Sequence, residues 1–204
     1  MKNRSPNLVL ASGSKYKMTL LETLGIPFTS VDPSIDETPK PEESPHSLSL
    51  RLAKEKAASV ASKNPEALII GCDQVAVCDQ QIIGKPGSKN KAIKQLSFLQ
   101  NNEATFFTSV ALISKDHQPK VKCTTTQVKL RKLTNQQIKR YVEIEQPIDC
   151  AGSFKSEALG VSLFEYIKSD DPTALIGLPL ISLTTLLIES GLTPIEHRDQ
   201  FVAK

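Results

Sequence analysis

Apolar and polar positions alternate along this chain in two distinct periods. Residues 8–11, Leu-Val-Leu-Ala, form a continuous apolar run, which predicts a short buried strand. Met18, Leu21 and Leu24 then recur every third position, predicting a helix over 15–24 that stops at Gly25. A second extended stretch follows at 27–31, and the Pro-dense segment 32–41 reads as a loop. Ser44-Pro45 opens a long helix to about Ser62, with serine as cap and proline in the first turn. The apolar run Ala67–Cys72 predicts a buried strand that ends at Asp73-Gln74, with further strand-like sequence from Gln74 to Ile83 and a turn at Asp79-Gln80. Ser88 caps a helix to Leu99. Residues 105–113 and 121–130 alternate as an antiparallel hairpin around the polar turn 115–119. Thr134 caps a helix to Glu145, Val161–Ile167 reads as a strand, and Leu180–Glu189 as a closing helix ended by Gly191. The order is close to βαβαββαβββα. That layout predicts a mixed α/β fold with a bent sheet flanked by helices, and not a purely parallel nucleotide-binding sheet.

Several polar residues interrupt this pattern where chemistry is expected. In Ser12-Gly-Ser14-Lys-Tyr-Lys17 a strand passes through a small, hydroxyl-rich turn into a helix. The unpaired N–H groups of a helix start, its dipole, two hydroxyls and a lysine suit a phosphate; an ordinary cap at Ser14 is the plainer role. Lys56 falls on or beside the apolar stripe of its helix, so it either snorkels outward or holds an anionic partner. Asp73, at the predicted strand end, suits base or metal chemistry, or a turn. Lys85 lies in Gly84-Lys-Pro86, which suits a lysine aimed at a fixed anion or a surface turn. The loop pair Asp36-Glu37 offers oxygen ligands for Mg²⁺ or Mn²⁺, unless both carboxylates are simply solvated. Cys150-Ala-Gly-Ser-Phe-Lys-Ser-Glu157 combines small residues that admit a flat ligand with a carboxylate able to accept two N–H bonds from a base edge; a surface loop is the alternative. Three lysines, two or three carboxylates and a serine-rich helix start together match metal-assisted hydrolysis of a polyphosphate.

Composition narrows the class. A chain of 204 residues makes one domain, or one domain with two lobes. The net charge of +3 is spread along the chain, which argues against a nucleic-acid binder and suits a small anionic substrate. Four cysteines without a CxxC pair, and three histidines, argue against structural zinc and for buried free thiols. No apolar segment has leader or transmembrane length, so a cytoplasmic protein with no membrane partner is expected. The GxGxxG and GxxxxGK[ST] fingerprints are absent from the sequence.

The combination of Leu10-Ala-Ser-Gly-Ser14, Asp36-Glu-Thr-Pro39, Arg51-Leu-Ala-Lys-Glu-Lys-Ala57, Gly71-Cys-Asp-Gln74, Gly84-Lys-Pro86 and Gly177-Leu-Pro179 resembles the Maf family of nucleotide pyrophosphatases over nearly the whole chain. Within it the chain looks most like the branch acting on 7-methyl-GTP, on account of Gln74, the glutamate that ends 150–157, and the aromatic Tyr16. The resemblance implies one Maf-like domain over 1–204, with a fold like that of the inosine triphosphate pyrophosphatases and a cleft between lobes. It implies attack of water at the α-phosphorus, giving 7-methyl-GMP and diphosphate. Asp73 would be the general base and Glu37 would help hold a divalent cation (Mg, Mn or Co). Ser12, Ser14, Lys17, Lys56 and Lys85 would bind phosphate, and Tyr16, Gln74 and Glu157 would select the base. A 7-methylguanine carries positive charge, so an aromatic face and a carboxylate both favour it over guanine. The family also suggests a homodimer.

The chain departs from the family at Lys15, Lys17 and Met18, where a proline and two arginines are usual. Lysine keeps the charge but loses the two-pronged grip on phosphate. Two further readings stand beside the first. One keeps the reaction with dTTP, UTP or another modified nucleotide; the other is a weakly active nucleotide-binding regulator of cell division.

Overall fold

The computed structural model describes residues 7–115 and 118–198. In chain order the elements are β1 (Leu8–Ala11), α1 (Lys15–Glu22), β2 (Phe28–Val31), α2 (Pro45–Ala61), β3 (Leu68–Cys78), β4 (Gln81–Ile83), α3 (Lys89–Leu99), β5 (Glu103–Ile113), β6 (Lys120–Leu130), α4 (Asn135–Glu145), β7 (Phe164–Ser169), α5 (Leu180–Ile188) and α6 (Pro194–Arg198), with short 3₁₀ turns at Ala151–Ser153, Leu159–Leu163 and Ala174–Ile176. The strands form one mixed sheet in the order β2-β1-β3-β5-β6-β7, with β4 paired to β3. The expected mixed α/β architecture is therefore present. Of the predicted 115–119 turn, Asp116 and His117 lie outside the described residues, as do residues 1–6 of the N-terminal segment.

The chain divides into two compact units. The first holds residues up to Gln74, Thr108–Thr124 and the stretch from Asp171 onward. Here β1 runs parallel to both β2 and β3. Leu8 and Leu10 join Leu21, Ile70, Cys72, Leu178 and Leu183 in one core cluster. Val9 and Ala11 join Ala53, Ala57, Val60 and Ile69 in another. Successive side chains of a strand point to opposite faces, so β1 is buried on both sides and reads as an unbroken apolar run. On the second face α2 lies very close to β3. A Cβ on Gly71 would fall 2.1 Å from the Ala53 carbonyl oxygen and 2.6 Å from the Ala57 nitrogen, so only glycine admits the helix there.

The second unit comprises Val75–Phe107 and Thr125–Asp170. The end of β3 pairs with β4, and β6 with β7, both antiparallel. Phe154 packs against Phe106 at 5.5 Å and edge-on to Phe164 at 4.8 Å between ring centroids. Helix α4 starts on a reciprocal cap between Thr134 and Gln137.

Three expectations need correction. Asp73 does not end a strand: β3 runs through it to Cys78, because Val75–Cys78 stays apolar and pairs with β4. The stretch from 161 to 167 is not one strand; a 3₁₀ turn occupies Leu159–Leu163, and ladder pairing with β6 begins at Phe164 opposite Leu130. All four cysteines are free, but only Cys72 and Cys78 are buried. The short helix α6 was not among the expected elements, although Thr193-Pro194 is the same kind of start as Ser44-Pro45.

Candidate active site

In the first unit, the strand period that puts Gly71 against α2 puts Asp73 on the same face, one step further along β3. There it meets Lys56 of α2. The Lys56 ammonium donates to Asp73 Oδ1 at 2.5 Å and lies 2.7 Å from Glu37 Oε1. Both Lys56 and Asp73 are buried, with 8% and 7% of their surface exposed, whereas Glu37 is exposed. Lys56 thus has anionic partners and does not snorkel. Burial alone would push its ammonium down; the charges and hydrogen bonds of Asp73 and Glu37 outweigh that, and its pKa is raised. It remains a cation throughout the neutral range.

Glu37 is delivered by the Pro-rich loop, and the loop is fastened by Arg51 of α2. Arg51 grips Glu43 with two parallel bonds of 2.7 and 2.9 Å, and donates to Glu55 at 2.9 Å and to the Thr38 carbonyl at 3.0 Å. The hydrogen bond from Arg51, helped by the Lys40 amide, holds the Glu43 carboxyl down at about 2. Asp36 accepts from the Thr38 amide at 2.9 Å and is thereby committed to its own turn, leaving Glu37 as the member of the pair on Lys56. Arg51 belongs to a family motif, yet nothing in its local sequence marks this loop-fastening role. The one local hint is Glu55 at i+4.

At the start of α1, Ser14 makes no side-chain capping bond. Its N–H donates instead to Ser12 Oγ at 3.1 Å. Lys17 reaches β3, donating to the Cys72 carbonyl at 2.7 Å, one residue from Asp73. Tyr16 is half-buried, with the Lys15 ammonium 5.2 Å from its ring centroid. The Gln74 amide nitrogen donates toward Thr108 Oγ1 at 3.1 Å and the carbonyls of Ala174 and Leu175 at 2.9 and 3.1 Å. The first unit therefore gathers Lys17, Glu37, Lys56 and Asp73 around the middle of β3.

Lys85 and Glu157 belong to the second unit, and both are exposed. A Cβ on Gly84 would meet nothing within 4 Å, so Gly84 serves no close backbone approach. Its carbonyl accepts from Gln95 at 3.0 Å, and the Gly87 N–H donates to the Ile148 carbonyl at 2.9 Å. The 150–157 segment is anchored at several points. The Ser153 hydroxyl donates to Gln95, the Lys155 N–H donates to the Tyr141 hydroxyl, and the Lys155 ammonium bonds the Glu145 carbonyl. Burial pushes the Tyr141 hydroxyl's pKa up, which keeps it a neutral hydrogen-bonding group.

The described residues thus combine a mixed sheet with a serine-rich strand-to-helix turn and, on β3, a buried carboxylate held by a lysine. The chain belongs to the Maf family: the family model described as Maf-like protein matches residues 7–190. It is similar to a 7-methyl-GTP pyrophosphatase of Nitrosococcus oceani, 49% identical over 91% of this chain and 94% of that one. It is similar to proteins of the same name from Xanthomonas axonopodis pv. citri, at 48% over 91% and 97%, and Aromatoleum aromaticum, at 47% over 93% and 98%. Among solved structures, the Staphylococcus aureus Ham1 protein aligns with a TM-score of 0.45 and 17% identity, covering 61% of this chain and 71% of that one. Among the described residues, no helix is long and apolar enough to cross a membrane.

Proposed function

We propose that this chain hydrolyses 7-methyl-GTP to 7-methyl-GMP and diphosphate by attack of water at the α-phosphorus. The observation that carries the reading is the buried Asp73 carboxylate held on Lys56, on a face that Glu37 also reaches. Membership of the Maf family and the names of relatives at nearly half identity support the same reaction and base.

Asp73 takes the proton of the attacking water. A carboxylate fixed by an ammonium keeps one oxygen aimed while the other stays able to accept. In the first unit Lys56 and Lys17 compensate charge on the triphosphate; in the second, Lys85 is by itself a candidate phosphate-binding cation. Ser12, Ser14 and the first N–H groups of α1 offer hydrogen bonds to phosphate oxygens. Glu37 and Asp73 both reach the Lys56 ammonium and carry hard oxygen donors, and together with phosphate oxygens they would hold a divalent cation of the Mg, Mn or Co kind beside that ammonium. Among the described residues no cluster of three or more His, Cys, Asp or Glu is placed to hold a metal. The remaining ligands would come from phosphate and water. Such an ion, when bound, neutralises charge on the phosphate oxygens. For base selection, Tyr16 in the first unit is a candidate aromatic face and Glu157 in the second a candidate carboxylate, each taken by itself, and Gln74 acts indirectly, since its amide nitrogen is engaged by a neighbouring loop. A nucleotide is the partner this reading requires; a homodimer is a further part of it.

The test is diphosphate release from 7-methyl-GTP, GTP, dTTP and UTP with Mg²⁺, Mn²⁺ or Co²⁺, comparing the protein with Asp73→Asn. The expected result is preference for 7-methyl-GTP and a fall in kcat of about a hundredfold or more in the variant. Turnover that survives the substitution sinks the role of Asp73. Preference for dTTP or UTP overturns the base assignment, and tight binding without turnover overturns the enzyme reading.

A further inference from the structure

Asp171 is almost completely buried, yet it is no part of the chemistry above. Its Oδ1 accepts from the Thr173 N–H at 3.1 Å and the Thr173 hydroxyl at 2.7 Å. Its Oδ2 accepts from the N–H groups of Ile181 and Ser182 at 2.7 and 3.3 Å, in the first turn of α5. Thr173 Oγ1 also accepts from the Leu180 N–H at 2.8 Å and lies 2.8 Å from the Leu178 carbonyl. One carboxylate and one hydroxyl thus fix both ends of the loop 171–180. A buried carboxylate is retained only where such donors replace its lost hydration.

That loop grips β3 on both sides of Asp73. The Cys72 thiol donates to the Gly177 carbonyl at 3.0 Å. Gln74 donates to the carbonyls of Ala174 and Leu175, and the Thr108 hydroxyl donates to Ala174 at 3.0 Å. Strand alternation puts the side chains of 72 and 74 on one face and that of 73 on the other. The loop therefore clamps one face of β3, while Asp73 projects from the other toward Lys56. Lys17 is included: its ammonium bonds the Cys72 carbonyl, and its chain passes Gly177, whose Cβ would lie 3.7 Å from Lys17 Cε. Gly177 has φ +129°, a conformation suited to glycine, and this turns its carbonyl to the thiol.

We propose that Asp171 is a positioning residue for Asp73: it fixes the 171–180 loop, whose carbonyls hold Cys72 and Gln74 and so set the aim of Asp73. The inference rests on the pyrophosphatase reading. Gln74 then influences catalysis through the loop, without touching the base.

The experiment compares Asp171→Asn, Thr173→Val and Thr173→Ser in the full chain. It measures kcat and KM for 7-methyl-GTP, and peptide-resolved amide hydrogen exchange without nucleotide. Asp171→Asn and Thr173→Val should each lower kcat about tenfold or more while KM moves less than about threefold, and Thr173→Ser should stay within about threefold of the parent. Amides of 72–75 should exchange about tenfold faster in Asp171→Asn, together with those of 174–182. The proposal is overturned if 72–75 keep their protection when 174–182 loosen, or if kcat is unchanged in a variant whose loop has loosened. Should Asp171→Asn fail to fold, the contrast of valine with serine at 173 decides. A parent protein that turns over no triphosphate defeats the pyrophosphatase reading alone, because the exchange arm still reports whether Asp171 holds the strand.

Discussion

A lysine on the apolar stripe of a helix stands out in sequence because burying its charge is costly, and Lys56 was legible for that reason. Its two carboxylates are 17 and 19 positions away, and the loop and strand that bring them there are separate elements. Asp171, Thr173 and Arg51 were not legible as site-building residues. They act on backbone groups or loops placed by tertiary packing, and an Asp-Pro-Thr triplet looks the same in any turn. Glu157 presents the opposite case, a carboxylate singled out by its motif and now found exposed on a well-anchored loop. On the proposed reading, its charge is what would favour a cationic base over a neutral one. Replacing Glu157 with glutamine should therefore lower kcat/KM for 7-methyl-GTP about fivefold more than for GTP, the difference between a charge-assisted and a neutral hydrogen bond. Steady-state kinetics on the two nucleotides measures this, and equal losses would remove Glu157 from base selection.

Among the elements, the helices were read well. Ser44-Pro45, Ser88 and Thr134 all serve as the starts their sequence announces. Strand limits were read less well. A charged residue inside an apolar run looks like an end, and only the pairing of residues 76–78 with β4 shows that β3 continues past Asp73. The join of β3 to α2 is the element-scale condition for the site, because Gly71 sets how closely Lys56 can come to Asp73. Gly71→Ala would place a Cβ inside the helix backbone, where neither neighbour is a flexible side chain. It should cost about 1–3 kcal/mol or more, seen as a lower urea midpoint at unchanged m-value. Gly84→Ala, where a Cβ meets nothing, should stay within about 0.5 kcal/mol of the parent. Equal midpoints for the two variants would show that α2 shifts aside freely.

For the molecule as a whole, acid is the condition under which a loop contact becomes a global quantity. As pH falls, the 22 Asp and Glu residues protonate and the charge of 25 Lys and Arg goes unbalanced, so self-repulsion grows. Glu43 resists protonation, since the Arg51 hydrogen bond holds it at about 2 against an ordinary 4.5. A carboxyl depressed by folding contributes stability that is complete above its unfolded value and is lost as pH falls through its folded value. The Glu43–Arg51 contribution should thus be constant above about 4.5 and vanish progressively as pH approaches 2. Urea unfolding of the protein and of Glu43→Gln at intervals from pH 7 to pH 2 measures it. The stability gap between them should be flat at the upper end and narrow through that window, because glutamine cannot titrate. A gap that stays constant down to pH 2 would mean that Arg51 does not favour ionised Glu43 in the folded chain, and that the loop carrying Glu37 is fastened by its other contacts.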